Sequence, residues 1–103
     1  MKEAFKLSEK AFSKNEVPVG AVVVLHGRII GKGYNQVDSL GDPTAHAEIL
    51  AITAAANTIG DWRLNNCTIY VTKEPCSMCA GAIVNSRLSR VVFGVYDDDK
   101  GAC

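Results

Sequence analysis

The sequence predicts an α/β domain of three layers, helices on both faces of a mixed sheet, with an antiparallel hairpin at one side of that sheet. Two apolar strand-forming runs, "VGAVVVL" from Val19 and "RIIGKGYN" from Arg28, flank the turn pair His26 and Gly27, which is the pattern of a hairpin. After the hairpin, segments alternate helix, strand, helix, strand, so the later strands need crossover connections and run parallel. The 103 residues suit one core. No repeat, linker or break in composition divides them, so residues 1–103 read as a single domain.

The elements follow in order. Residues 1–15 have helical spacing, with Ala4, Leu7, Ala11 and Phe12 recurring every three or four positions. Lys2, Lys6, Lys10 and Lys14 form a basic stripe on that helix, expected to be a solvated outer face. Pro18 is the expected stop. The β-branched run from Val19 suits a strand buried on both faces, and His26, in the turn, is expected to be exposed and idle. Residues 36–41 read as a polar loop. Asp42 suits a helix N-cap with Pro43 in the first helical position, predicting a helix through "EILAITAAAN" to about Asn57. "CTIYVT" from Cys67 is a third strand, "EPCSMCAGAIVNSR" from Glu74 turns into a third helix, and "RVVFGV" from Arg90 is a fourth strand.

Composition narrows the function. Eleven basic and eleven acidic side chains cancel, so a nucleic-acid partner would have to be held by a local patch rather than by net charge. Residues 1–15 mix Lys and Glu with apolar residues, unlike a secretory signal, and no segment approaches the roughly 20 apolar residues that span a bilayer. The expected compartment is the cytoplasm, without membrane attachment. There, the four cysteines, Cys67, Cys76, Cys79 and Cys103, read as thiols or metal ligands rather than disulfides.

Two stretches carry chemistry. In "EPCSMC", Cys76 and Cys79 are three apart and lie on one face of a helix. The helix N-terminus favours their thiolates, the form that binds metal. In "DPTAHAEIL", His46 and Glu48 are two apart, and on an ideal helix such positions point about 200° apart. They can share a site only at a first turn whose backbone is irregular. His46 with two thiolates makes three ligands, the pattern of a catalytic zinc that keeps a fourth position open. Zinc lowers the pKa of a bound water to about 7. Glu48 then stands beside that water without ligating, as a proton shuttle. A structural zinc with Cys67 as fourth ligand leaves Glu48 unexplained, and a redox Cys pair leaves both His46 and Glu48 as accidents.

His-x-Glu followed by Pro-Cys-x-x-Cys resembles the signature of the zinc nucleobase deaminases. Beyond it, "EVPVGAVVV", "DPTAHAEILAI", "YVTKEPCSMCAGAIVNSR" and "RVVFGVYDDDKGA" closely resemble the bacterial tRNA-specific adenosine deaminases, over nearly the whole chain. The resemblance implies the cytidine-deaminase-like α/β/α sandwich and a homodimer with one zinc per subunit. It implies conversion of adenosine to inosine at the wobble position of an arginine tRNA anticodon. It also implies that Asn35 bonds the flipped-out base and that the backbone around Ala47 reads the purine edge. Val19 and Pro18 would wall the pocket, and Asp97 would lie near the target ribose and the anticodon backbone. Departures are Lys73, where the family usually has leucine, and Val95 and Tyr96, before the acidic position. The family also continues past "GA" with a final helix that packs on the core and contacts RNA, so a chain ending at Cys103 is expected to be C-terminally short, with weaker RNA binding.

Two other functions use the same residues. A deaminase of free guanine, cytosine or a nucleotide would share the metal chemistry. A non-catalytic zinc-bound module would bind RNA or a partner subunit and release no ammonia.

Overall fold

The computed structural model describes residues 1–94. Its elements are α1 (Lys2–Ser13), β1 (Gly20–Leu25), β2 (Arg28–Tyr34), α2 (Val37–Leu40), α3 (Ala47–Ile59), β3 (Cys67–Val71), α4 (Ser77–Asn85) and β4 (Arg90–Phe93). The four strands lie in the order β2-β1-β3-β4. β1 runs antiparallel to both β2 and β3, and β3 pairs with β4 in parallel. The hairpin therefore occupies one side of a mixed sheet, as its sequence predicts. Its turn has both His26 (φ 50°) and Gly27 (φ 77°) in the left-handed region, the two-residue geometry that matches strand twist.

The alternation along β1 sorts the layers. Ala21 and Val23 point to the side where Ala47, Ala51, Ala55, Ile69, Val71 and Ile83 form the core, so α3 and α4 cover that face. Gly20 points the other way, where α1 lies so close that an added Cβ would collide with the Ala4 carbonyl. α1 accordingly buries small residues, Ala4, Ser8 and Ala11, and Phe12, expected on the apolar face, is 70% exposed. Lys2, Lys6, Lys10 and Lys14 are exposed, with the Lys10 ammonium 5.1 Å from the Tyr34 ring centroid.

The same small-on-small logic seats α3. A Cβ on Gly31 would strike the Ala51 carbonyl, and one on Gly33 the Ala47 carbonyl. The alanines at 47, 51 and 55 thus sit directly on the backbone of β2. Close approach fixes the height and direction of α3 above the sheet, and with it the position of the helix start.

Three boundaries differ from expectation. α1 ends before Pro18: Asn15 is left-handed (φ 61°), the Glu16 N–H donates to the Ala11 carbonyl (3.0 Å) and the Asn15 N–H to that of Phe12 (3.1 Å). These are the paired bonds of a Schellman stop. Residues 37–40, expected as loop, form α2, because a distant carboxylate, that of Glu16, accepts the backbone N–H groups of Asp38 and Ser39. α3 begins at Ala47 rather than Pro43. Asp42 instead closes a local turn, its Oδ1 accepting the Thr44 N–H (2.9 Å) and hydroxyl (2.8 Å). Among the described residues no helix is long and apolar enough to cross a membrane.

Candidate active site

The late start of α3 resolves the spacing of His46 and Glu48. His46 is the N-cap, with extended backbone (φ −74°, ψ 154°), and Glu48 is the second helical residue. They are not two positions of one helix, so the 200° argument does not separate them. α4 repeats the arrangement: Cys76 is its N-cap (φ −73°, ψ 175°) and Cys79 its third residue. Two helix starts converge, and their aligned dipoles favour negative charge between them.

His46, Cys76 and Cys79 offer ligand atoms that all lie within 4.8 Å of one another. The His46 Nδ1 is 3.7 Å from the Cys76 Sγ and 3.5 Å from the Cys79 Sγ. A tetrahedral zinc, with bonds of about 2.3 Å to sulfur and 2.0–2.1 Å to nitrogen, places nitrogen and sulfur about 3.6 Å apart. The donor set and its spacing are compatible with zinc, and Nδ1 is the ring atom that faces the thiols. Cys67 stands at the opposite end of β3, its Sγ donating to the Asn65 carbonyl (3.6 Å), and is not part of this group.

Ionising this cluster is electrostatically costly. Burial, the neighbouring Glu48 and the neighbouring Cys76 push the Cys79 thiol well above its ordinary 9.0. Burial also raises the Glu48 carboxyl above 4.5, opposed by a backbone hydrogen bond, His46, Cys79 and Lys73. Groups that resist ionisation together are relieved by a positive ion among them.

These residues open on a cavity of about 320 Å³ lined by Asn35, Val19, His46, Glu48 and Cys76, at the small end of ligand sites. Asn35 is 7% exposed, and its N–H donates to the Val19 carbonyl (3.1 Å). Pro18 lines an adjoining cavity of about 270 Å³ with Phe5 and Lys73, and Lys73 borders both. Ala47 is fully buried in the core and does not line either cavity. Asp97, with Val95, Tyr96 and Cys103, lies outside the described residues. The sequence reading missed Glu16, Val37, Asp38 and Glu74, all on the larger cavity. Glu16 and Glu74 are each 5% exposed; no local pattern marks either as buried, though each opens a quoted motif, "EVPVGAVVV" and "EPCSMC".

The comparisons with known proteins agree with this geometry. A family model described as MafB19-like deaminase matches residues 1–101. The chain belongs to that deaminase family. Its relatives include the tRNA-specific adenosine deaminases of Bacillus subtilis (strain 168), 52% identical over 103 residues, and of Haemophilus influenzae, 52% identical over 103 residues. These alignments cover 100% and 99% of this chain but 63% and 60% of the relatives' own lengths. A tRNA:A34 deaminase studied for A-to-I editing at the wobble position superposes with a TM-score of 0.97 at 44% identity, over 99% of this chain and 74% of that one. The guanine deaminase of Bacillus subtilis superposes with a TM-score of 0.91 at 39% identity, over 95% of this chain and 63% of that one. The mixed-sheet sandwich is the fold this deaminase chain shares with them.

Proposed function

We propose that this chain carries the catalytic domain of a zinc-dependent deaminase that converts adenosine to inosine at the wobble position of a tRNA anticodon, by resemblance that of an arginine tRNA. The observation that carries the reading is the meeting of His46, Cys76 and Cys79 at a cavity that His46, Cys76 and the buried Glu48 line. His46 through Nδ1 and the two cysteines as thiolates hold one zinc ion. Zinc, when bound, supplies an acidified water at neutral pH. Glu48 takes a proton from the attacking water and delivers it to the departing amine. The water oxygen bonds to the ring carbon, the carbon–nitrogen bond breaks, and ammonia leaves.

Asn35 bonds the base edge, Val19 walls the pocket and Pro18 its extension; purine readout by the backbone around Ala47 rests on the resemblance alone, since Ala47 itself lines neither cavity. By the family resemblance alone, Asp97, outside the described residues, is assigned to the ribose and anticodon backbone. A loop base that is already splayed out avoids the cost of opening a duplex, and a cavity of about 320 Å³ suits a single nucleoside better than a stacked pair. The enzyme acts in the cytoplasm as a homodimer. In support of the second copy, α4 has no charged residue and α3 only Glu48, which is buried, while Met78 and Val84 stay 38% and 69% exposed.

A second reading, deamination of a free purine, draws on the likeness to guanine deaminase. Mass spectrometry of an anticodon stem-loop incubated with zinc-loaded protein separates the two. Adenosine converted to inosine is the expected result. An untouched RNA with guanine consumed would replace the RNA substrate by the free base, and release of no ammonia from either would leave a non-catalytic zinc module.

A further inference from the structure

Glu16 lies between the end of α1 and the start of β1 and takes no part in the metal cluster, yet it is 5% exposed and fully engaged. Its Oε2 accepts the Ser39 N–H (2.7 Å) and the Ser39 hydroxyl (2.6 Å), and its Oε1 accepts the Asp38 N–H (3.2 Å). The Ser39 hydroxyl chiefly, then the Ser39 and Asp38 N–H groups, outweigh burial and hold this carboxyl below its ordinary 4.5. It is therefore an acceptor-only carboxylate at neutral pH. The helix it holds, α2, has four residues, and its own N-cap, Gln36, makes no side-chain capping bond. A helix that short does not persist by itself.

The placement of that helix matters because Val37 and Asp38 line the same cavity as His46, Glu48 and Cys76, as do Asn15 and Val17 on either side of Glu16. One carboxylate thus joins two stretches of cavity wall that are more than twenty residues apart in sequence. We propose that Glu16 is a positioning residue for substrate: it fixes α2 as a wall of the cavity, so that Val37 and Asp38 meet the bound nucleoside and set its fit. The identity of the occupant rests on the deaminase reading above; the brace itself does not. Glu16 lines the cavity itself, but both its carboxylate oxygens are taken up by Asp38 and Ser39; it acts on the substrate through α2, so its loss is expected to weaken binding rather than the chemical step.

Steady-state kinetics and hydrogen exchange on the zinc-loaded chain test this with Glu16→Gln and Ser39→Ala. The amide in Glu16→Gln sets a donor against a donor. It is expected to raise KM for the anticodon stem-loop about tenfold, with kcat within about threefold and zinc content unchanged. Ser39→Ala removes one of three donors and should shift KM the same way by about threefold; it keeps the inference testable if Glu16→Gln does not fold. In the wild type, the stem-loop should protect the amides of residues 37–41 from exchange, and Glu16→Gln should abolish that protection. An unchanged KM in both variants, or a loss confined to kcat, overturns the positioning role. So does an absence of stem-loop protection at residues 37–41 in the wild type. Exchange needs no turnover, so a wild-type chain that binds the loop without deaminating it refutes the deaminase reading while exchange still decides the brace.

Discussion

Glu48 and the cysteine pair set the expectations at the residue scale. If Glu48 moves protons and does not ligate, Glu48→Gln should lower turnover by about 10²–10⁴-fold while zinc measured by atomic emission stays at its wild-type level. Zinc lost together with activity would make Glu48 part of the metal site instead. If Cys79 is a zinc ligand, Cys79→Ala should lose zinc outright. Because metal affinity is folding free energy in a small domain, it should also lower the melting temperature by about 5 °C or more, as should chelation of the wild type. A melting curve indifferent to chelator would mean that the ligands are preformed without the ion. Each half of this constellation was legible because it is local: Cys76 and Cys79 are one helical turn apart, and His46 and Glu48 share a helix start; that the two halves meet came from resemblance to a known signature. What spacing could not give was the N-cap position of His46. That depended on Asp42 closing a turn with Thr44 in place of the cap it resembles.

Among elements, the contact of α3 with β2 decides where the site sits. Gly33 lies under the Ala47 carbonyl, one residue from His46. Gly33→Val should therefore destabilise the fold by about 1–3 kcal/mol, read as a lower urea midpoint at constant m. It should also weaken zinc binding, by lifting the start of α3 away from Cys76. A destabilised variant with wild-type zinc affinity would uncouple the helix start from that glycine. The complementary pattern is present in the sequence, glycines at 31 and 33 facing alanines at 47, 51 and 55. Periodicity alone reads alanine as a helix former and glycine as a weakness, and only pairing the two segments shows that each exists for the other. α2 is the opposite case: nothing local predicts it, since its cap comes from Glu16.

For the whole molecule, carboxylates with hydrogen-bonded partners link stability to pH. Glu16, Asp42 and Asp61 are each held below their ordinary values: Glu16 chiefly by the Ser39 hydroxyl, Asp42 by the Thr44 N–H and Asp61 by the Arg63 N–H. A depressed folded value means stability fully present above the unfolded pKa, near 4.5 for Glu16 and 3.8 for the aspartates. That stability is lost as pH falls through the lower folded values. Melting temperatures taken from about pH 7 down to about pH 3 should fall on the acid side, and less steeply in Glu16→Gln, which has no charge to lose. Equal slopes in the two proteins would mean that the Glu16 contacts persist in the unfolded chain.

The sequence by itself determined the three-layer class, the hairpin, the order of strands and helices, and the group His46, Glu48, Cys76 and Cys79. The class, the hairpin and the order of elements are written in local spacing, alternation, helical period and turn pairs; His46 and the cysteines, thirty or more residues apart in the chain, were joined by resemblance to a known signature. Tertiary structure alone decided that β1 lies between β2 and β3, that Phe12 stays outside while alanines pack on glycines, and that residues 37–40 become a helix walling the cavity. Those features depend on groups distant in the chain meeting at contact distance. A carboxylate twenty-two residues from the amide it caps leaves no periodic trace in either segment.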